Sequence, residues 1–219
     1  MKTLFIIGSG GHTRSVLSAA KLMDKWNKFE IIDLNFKNQS EIILGAQVLP
    51  VEALPNKLDF LNHDVFISVG DNKKREEIFN KFNFDISSYT NIIHPKSYID
   101  KHSKIGLGNY FGQFSNIGSE VEVGNFNIIN THANLEHEVK VGNFNHLAPS
   151  SCICGRSKLS NNIFIGCNSV VIEKINVAKN NYIGAGTVVI RSIIKENGKY
   201  IGIPAKEIWS IYLLADSNQ

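Results

Sequence analysis

One pattern limits what this chain can fold into more than any other: an apolar residue recurs at every sixth position through its second half. Stepping by six from Ile93, the chain reads Ile99, Ile105, Phe111, Ile117, Val123, Ile129, Leu135, Val141, Leu147, Ile153, Leu159, Ile165, Val171, Val177, Ile183 and Val189, apolar at all 17 positions. With 43% apolar residues overall, such a run has a chance of about a few in a million, even with six phases allowed. An amphipathic α-helix repeats its apolar face every three or four residues, so this period excludes one. Glycine follows the apolar residue at Gly106, Gly118, Gly124, Gly142, Gly166 and Gly184, and again at Gly202 after Lys195 interrupts the phase. The unit is therefore a short strand plus a corner. Three units make a coil of 18 residues, and coils stacked about 4.8 Å apart line up their aliphatics inside a triangular prism. Residues 93–201 supply six coils. Beyond Pro204 and Ala205, residues 206–214, with Ile208, Trp209, Tyr212 and Leu213, are expected to form a short amphipathic capping helix.

The first part of the chain obeys a different pattern. Residues 4–7 read as a buried strand, Gly8, Ser9, Gly10, Gly11 and His12 as a tight loop, and residues 13–26, with Val16, Leu17, Ala20 and Met23 at helical spacing, as an amphipathic helix. Residues 29–33 read as a second strand, 42–49 as a hairpin, 64–69 as another buried strand and 72–82 as a charged helix. Strand, helix, strand order implies a small parallel α/β sheet. The fold class is thus α/β plus β-solenoid: residues 1–88 form a small Rossmann-like domain, and residues 89–219 form the prism and its end. The boundary falls near residues 87–92.

Composition narrows the partners. A net charge of +3 is too slight for a nucleic-acid-binding surface, and no run approaches the 18 apolar residues of a membrane span. Four apolar residues before Gly8 are too few for a signal-peptide core, which points to a cytoplasmic protein. Cys152, Cys154 and Cys167 are odd in number and clustered, which fits a reducing compartment.

Several residues stand where chemistry could use them. Gly8, Gly10 and Gly11 place backbone amides and a helix N-terminus where a phosphate could sit; a plain strand-to-helix turn is the other reading, and Thr13 occupies the third glycine position of the dinucleotide pattern. Asp33 ends the second strand, suited to a ribose or base edge or simply to a surface turn. One coil beyond His137 lies Gly155, so the Gly155 amide is expected one rung from the imidazole, and Glu138 is placed to orient that ring if the chain turns a corner there. His146 is half a coil from His137, hence on another edge of the prism. Gly166 and Cys167 lie one coil below Gly184, Ala185 and Gly186, a ladder of small residues along which a pantetheine arm could pass. Lys206 could meet a phosphate or be a solvated lysine.

The six-residue period resembles the hexapeptide-repeat, left-handed parallel β-helix acyltransferases. The loop of Gly8 to His12, Asp33, the run Val69, Gly70, Asp71 and Asn72 with Arg75, then Asn130 with Thr131 and His137 with Glu138, all ahead of or within such a prism, are similar to bacterial nucleotide-sugar acetyltransferases of the sialic-acid O-acetyltransferase-like superfamily. The pattern is most similar to the enzymes acting on UDP-4-amino-4,6-dideoxy sugars. Leu34, Asp71 and His132 depart from it and leave the base and sugar open. The resemblance implies an N-acetyltransferase using acetyl-CoA, without a metal, in a homotrimer with acetyl-CoA held between subunits. It makes His137 the general base and Glu138 its partner. Gly155, His146, Cys167, Ala185 and Lys206 fall to the oxyanion and acetyl-CoA; Gly8, Gly10, Gly11, His12, Asp33, Asn72, Arg75 and Asn130 fall to the nucleotide sugar. O-acetylation of a sialic or related acidic sugar is the alternative. Two remoter classes are a noncatalytic nucleotide-sugar binder and a zinc enzyme like the gamma-class carbonic anhydrases, built on His132 and His137; no histidine stands one or two coils from either.

Overall fold

The computed structural model describes residues 2–37, 41–55, 58–59, 61–82 and 84–208. The chain begins with β1 (Thr3–Ile7), α1 (Gly11–Leu22), β2 (Lys28–Asp33), β3 (Ile42–Ile43), β4 (Ala46–Pro50), β5 (His63–Ile67) and α2 (Asn72–Phe82). These build one sheet in the order β3-β4-β2-β1-β5, parallel except for the β3–β4 hairpin. Leu4, Ile6 and Ile31 face α1, while Ile7, Ile32 and Ile67 face the α2 side. Helix α1 stops four residues earlier than its apolar spacing predicts. Met23 caps it, Asp24 turns left-handed at φ 51, and Trp26 leaves the helix to donate from Nε1 to Asp64 Oδ2 at 2.7 Å.

From Ile92 the six-residue period becomes a parallel β-helix. Two-residue strands recur every six residues from Ile92–Ile93 to Val188–Val189, and each as far as Val170–Val171 pairs in parallel with the strand 18 residues on. The inward residue of each unit enters one continuous core; Phe111, Ile117, Ile129, Leu135, Leu147 and Ile153 are fully buried. Burying one such side chain contributes about 1.5–3 kcal/mol, so stacked coils supply a core that no single coil could. Corners also follow the period: Glu120, Phe126, His132, Glu138, Phe144, Ser150 and Arg156 all have φ between 56 and 63. One corner is held by an asparagine ladder, in which Asn109, Asn127 and Asn145 Oδ1 atoms accept backbone N–H groups 18 residues away.

The end of the prism differs from expectation. Lys206–Glu207 is a strand, antiparallel to Lys199–Ile201, in place of the start of a capping helix. The Ala205 N–H donates to Val188 O and the Ile208 N–H to Lys199 O, so the sheet takes the backbone donors a helix would have used. Residues 209–214 of that expected helix lie outside the described residues. Among the described residues, no helix is long and apolar enough to cross a membrane.

Candidate active site

The α/β sheet and the prism meet along one face, and the first cluster of functional side chains lies at that seam. After β1 the chain enters Gly8 at φ 114, where an added Cβ would lie 3.0 Å from Val69 Cγ2. Gly10 caps α1 without a side-chain bond, which leaves the first amides of a 12-residue helix unshielded. Thr13, at the position of the missing third glycine, is buried and donates to Gly8 O at 2.9 Å, with Ser68 Oγ 2.8 Å away. The threonine thus pins the loop to the end of β5. A cavity of about 640 Å³ opens here between the loop of Gly8, Gly10, Gly11 and His12, the Asp33 and Leu34 end of β2, and Gly70 with Lys74. The structure therefore brings Gly8, Gly10, Gly11, His12 and Asp33 together.

Arg75 and Asn72, expected to meet the nucleotide sugar, do not line that cavity. Arg75 is 1% exposed, and its guanidinium donates to Phe126 O, Val69 O, Gly70 O, Asn72 Oδ1 and Asn145 O at 2.8–3.2 Å. All five donors are spent, so none is left for a phosphate. Asn72 also donates from Nδ2 to Ile163 O at 3.0 Å. Together they clasp the two parts of the chain and hold the Val69 and Gly70 carbonyls.

His146 and Asn130 belong to the same seam. His146 Nδ1 donates to Gly70 O at 3.1 Å, and Asn130 Nδ2 lies 3.3 Å from His146 Nε2. One nitrogen must then carry hydrogen and the other accept, so the ring is neutral; burial first, then the Arg75 charge, pull it down to about 4. His12 stacks edge-on against Tyr110, 6.4 Å from the His146 ring, with its Nε2 buried and without a hydrogen-bond partner; burial, then His146 and Arg75, pull it down to about 3. Both imidazoles are uncharged at neutral pH.

A second cluster occupies a different corner of the prism. Glu138 sits in the left-handed corner at φ 61, which lets its carboxylate turn back toward the preceding residue: Oε2 lies 3.0 Å from His137 Nδ1. A carboxylate only accepts, so Nδ1 carries a hydrogen, and in the neutral tautomer the lone pair is on Nε2. The Nε2 edge lies over Gly155, where an added Cβ would meet His137 Cε1 and Nε2 at 2.5 Å. Among the described residues the Gly155 N–H has no partner in the chain. An imidazole and an unpaired amide thus share one rung, as the spacing of 18 predicts. The spacing also reaches a residue that the sequence reading missed: Arg156, one coil beyond Glu138, donates from Nε to the same Oε2 at 2.9 Å. These two bonds hold the Glu138 carboxyl below its ordinary value, the His137 bond first.

The remaining candidates are more scattered. Gly166 lies against Gly184 and Ala185, with an added Cβ only 2.5 Å from Ala185 N, and Cys167 O accepts the Gly186 N–H at 2.8 Å, so the small-residue ladder exists and exposes Cys167 and Ala185. Lys206 is exposed at the end of the prism beside a cavity of about 400 Å³. The Cys154 thiol is pushed up to about 11, chiefly by burial, so it stays protonated at neutral pH. His132 stacks on Phe114 at 5.0 Å, at a different corner from His137. Among the described residues, no hydrogen bond joins the His137 cluster to the His146 cluster.

Residues 3–82 match the PglD N-terminal domain family. No curated protein sequence matches the chain. Among solved structures, PerB from Caulobacter crescentus in complex with CoA and GDP-perosamine is 27% identical and superposes with a TM-score of 0.85, covering 95% of this chain and 98% of that one. A histidine-to-alanine variant of GDP-perosamine N-acetyltransferase from the same organism gives 26% and 0.86, over 96% of this chain and 98% of its own. The acetyltransferase domain of PglB from Neisseria gonorrhoeae shares the fold at 24% identity and a TM-score of 0.84, over 95% and 100% of the two chains. Residues 3–82 thus carry a PglD-type N-terminal domain, and nearly the whole chain shares the fold and domain order of these CoA-dependent sugar N-acetyltransferase structures.

Proposed function

We propose that this protein is an acetyl-CoA-dependent sugar N-acetyltransferase whose acceptor is the 4-amino group of a nucleotide-linked 4-amino-4,6-dideoxyhexose. The observation that carries this reading is the His137 rung: a ring fixed by Glu138, with a free Nε2 above the unpartnered Gly155 amide. The amine attacks the thioester carbonyl carbon while His137 Nε2 takes its proton. The oxyanion that forms accepts the Gly155 N–H, an interaction typically contributing about 3 kcal/mol. When the carbon–sulfur bond breaks, the sulfur leaves with the electron pair and receives the proton from the imidazolium, which restores neutral His137. Transfer is direct: the Cys154 thiol is held protonated, and among the described residues no hydrogen bond joins Cys152 or Cys167 to a histidine or carboxylate side chain.

The cavity of Gly8, Gly10, Gly11 and Asp33 receives the nucleotide diphosphate, its phosphates at the first turn of α1. Because aliphatics fill the prism, substrates lie outside it, and a thioester shielded from water needs a second prism alongside. The protein is therefore read as a homotrimer, in which the nucleotide cavity of one subunit faces the His137 corner of the next. The deciding experiment is thiol release from acetyl-CoA with a panel of nucleotide-linked aminosugars and free sialic acids. The expected acceptor is a 4-aminosugar nucleotide, and His137→Ala is expected to lose at least about two orders of magnitude in kcat while still binding acetyl-CoA. Turnover only with a sialic acid, or an unaltered rate in His137→Ala, overturns the reading.

A further inference from the structure

Arg156 is a residue the proposed chemistry does not yet use. It stands one coil above Glu138 at the same left-handed corner, φ 63 against 61. The backbone rung between them is independent of the side chain, since the Arg156 N–H donates to His137 O at 3.0 Å. The side chain adds a single directed contact, Nε to Glu138 Oε2 at 2.9 Å, on the oxygen that also accepts from His137 Nδ1 at 3.0 Å. Two neighbouring cations are engaged elsewhere: Lys140 pairs with Glu122 at 3.2 Å and Lys174 with Glu173 at 3.5 Å. Among the described residues, Glu138 has no hydrogen-bonding side chain besides His137 and Arg156.

Such a pair contributes little to stability. The Arg156 and Glu138 side chains are 51% and 42% exposed, and ion pairs of that exposure are typically worth about 0–1 kcal/mol. Its consequence is geometric. A free glutamate at this exposure samples several rotamers, and only one brings Oε2 to His137 Nδ1. A planar guanidinium bound through Nε favours that rotamer, so the position of the arginine sets the position of the ring.

We propose that Arg156 is a positioning residue for the acetyl transfer, holding the Glu138 carboxylate where it orients His137. This rests on His137 being the base, and the test separates the two. Arg156→Ala is expected to lower kcat about 10-fold, a fraction of what a general base contributes, with KM for acetyl-CoA and nucleotide sugar within about 2-fold. Arg156→Lys, which keeps a donor of similar reach, is expected to recover part of that loss. In a Glu138→Ala background, Arg156→Ala is expected to cost nothing further, because the contact it removes is already gone. Arg156→Met, which keeps a long stem but carries no donor for Oε2, repeats the comparison, and thermal midpoints confirm folding. An Arg156→Ala enzyme with wild-type kcat beside an inactive His137→Ala enzyme overturns the inference and leaves the reading standing. Losses confined to KM, or additive with Glu138→Ala, also overturn it. A fully active His137→Ala enzyme sinks the reading itself.

Discussion

Two histidines nine residues apart meet opposite environments. His146, at the seam, is buried, and both its nitrogens are committed, one to Gly70 O and the other to Asn130. His137, at the outer corner, is half exposed, and its Nδ1 alone is committed, to Glu138. Two arginines repeat the contrast. Arg75 spends five donors on buried groups from both parts of the chain, whereas Arg156 makes one side-chain bond at the surface. A single chain thus completes the seam but leaves the corner uncommitted: the His137 ring is half exposed, and among the described residues the Gly155 N–H has no partner. The seam is built for holding, whereas the corner leaves its groups uncommitted.

The sharpest way to break that contrast is Arg75→Met. It leaves buried acceptors, among them Phe126 O and Val69 O, without their donors, at about 1–3 kcal/mol each. A loss of about 3 kcal/mol in unfolding free energy is expected, measured by urea denaturation, against less than about 1 kcal/mol for Arg156→Ala. Equal effects of the two substitutions would dissolve the distinction.

Acidification probes the same asymmetry with a smaller effect. The His146 value is depressed from 6.5 to about 4 in the folded state, so its contribution is complete above pH 6.5 and is lost as pH falls toward 4. Between pH 7 and 5 that loss amounts to about 2 kcal/mol, with His12 acting in the same direction. Urea midpoints at the two pH values measure it. His146→Asn, which does not titrate, is expected to remove the part due to His146; an unchanged pH dependence would show that the seam does not hold this ring neutral.

Gly155→Ala sharpens the comparison at the corner. Its Cβ would fall 2.5 Å from the imidazole, which must swing away from the amide. A drop in kcat of about 10-fold with an unaltered thermal midpoint is expected, since the strain is relieved at the surface. Wild-type turnover would mean that the ring does not act over Gly155.

Much of this was legible before any coordinates. The six-residue ladder reads directly because each inward position touches the same residues 18 away, so one arithmetic rule places every coil and puts His137 over Gly155. The same rule reaches Arg156 from Glu138, and overlooking it was an omission of reading, not of information. The end of the prism was misread because Ile208, Trp209, Tyr212 and Leu213 satisfy a helical spacing, while the donors of Ala205 and Ile208 were already claimed by sheet carbonyls that the spacing cannot show.

The sequence by itself determined the two-part architecture, the parallel sheet, the prism and the pairing of base and amide, because each is set by contacts at fixed separations along the chain. Tertiary structure alone decided what Arg75 and His146 do. Their partners, Phe126, Asn145 and Gly70, lie 51 to 76 residues away, at separations no period governs. An arginine in a helix reads equally as a phosphate ligand or a clasp until the surface it packs against is known, since burial and the count of free donors are properties of the assembled seam.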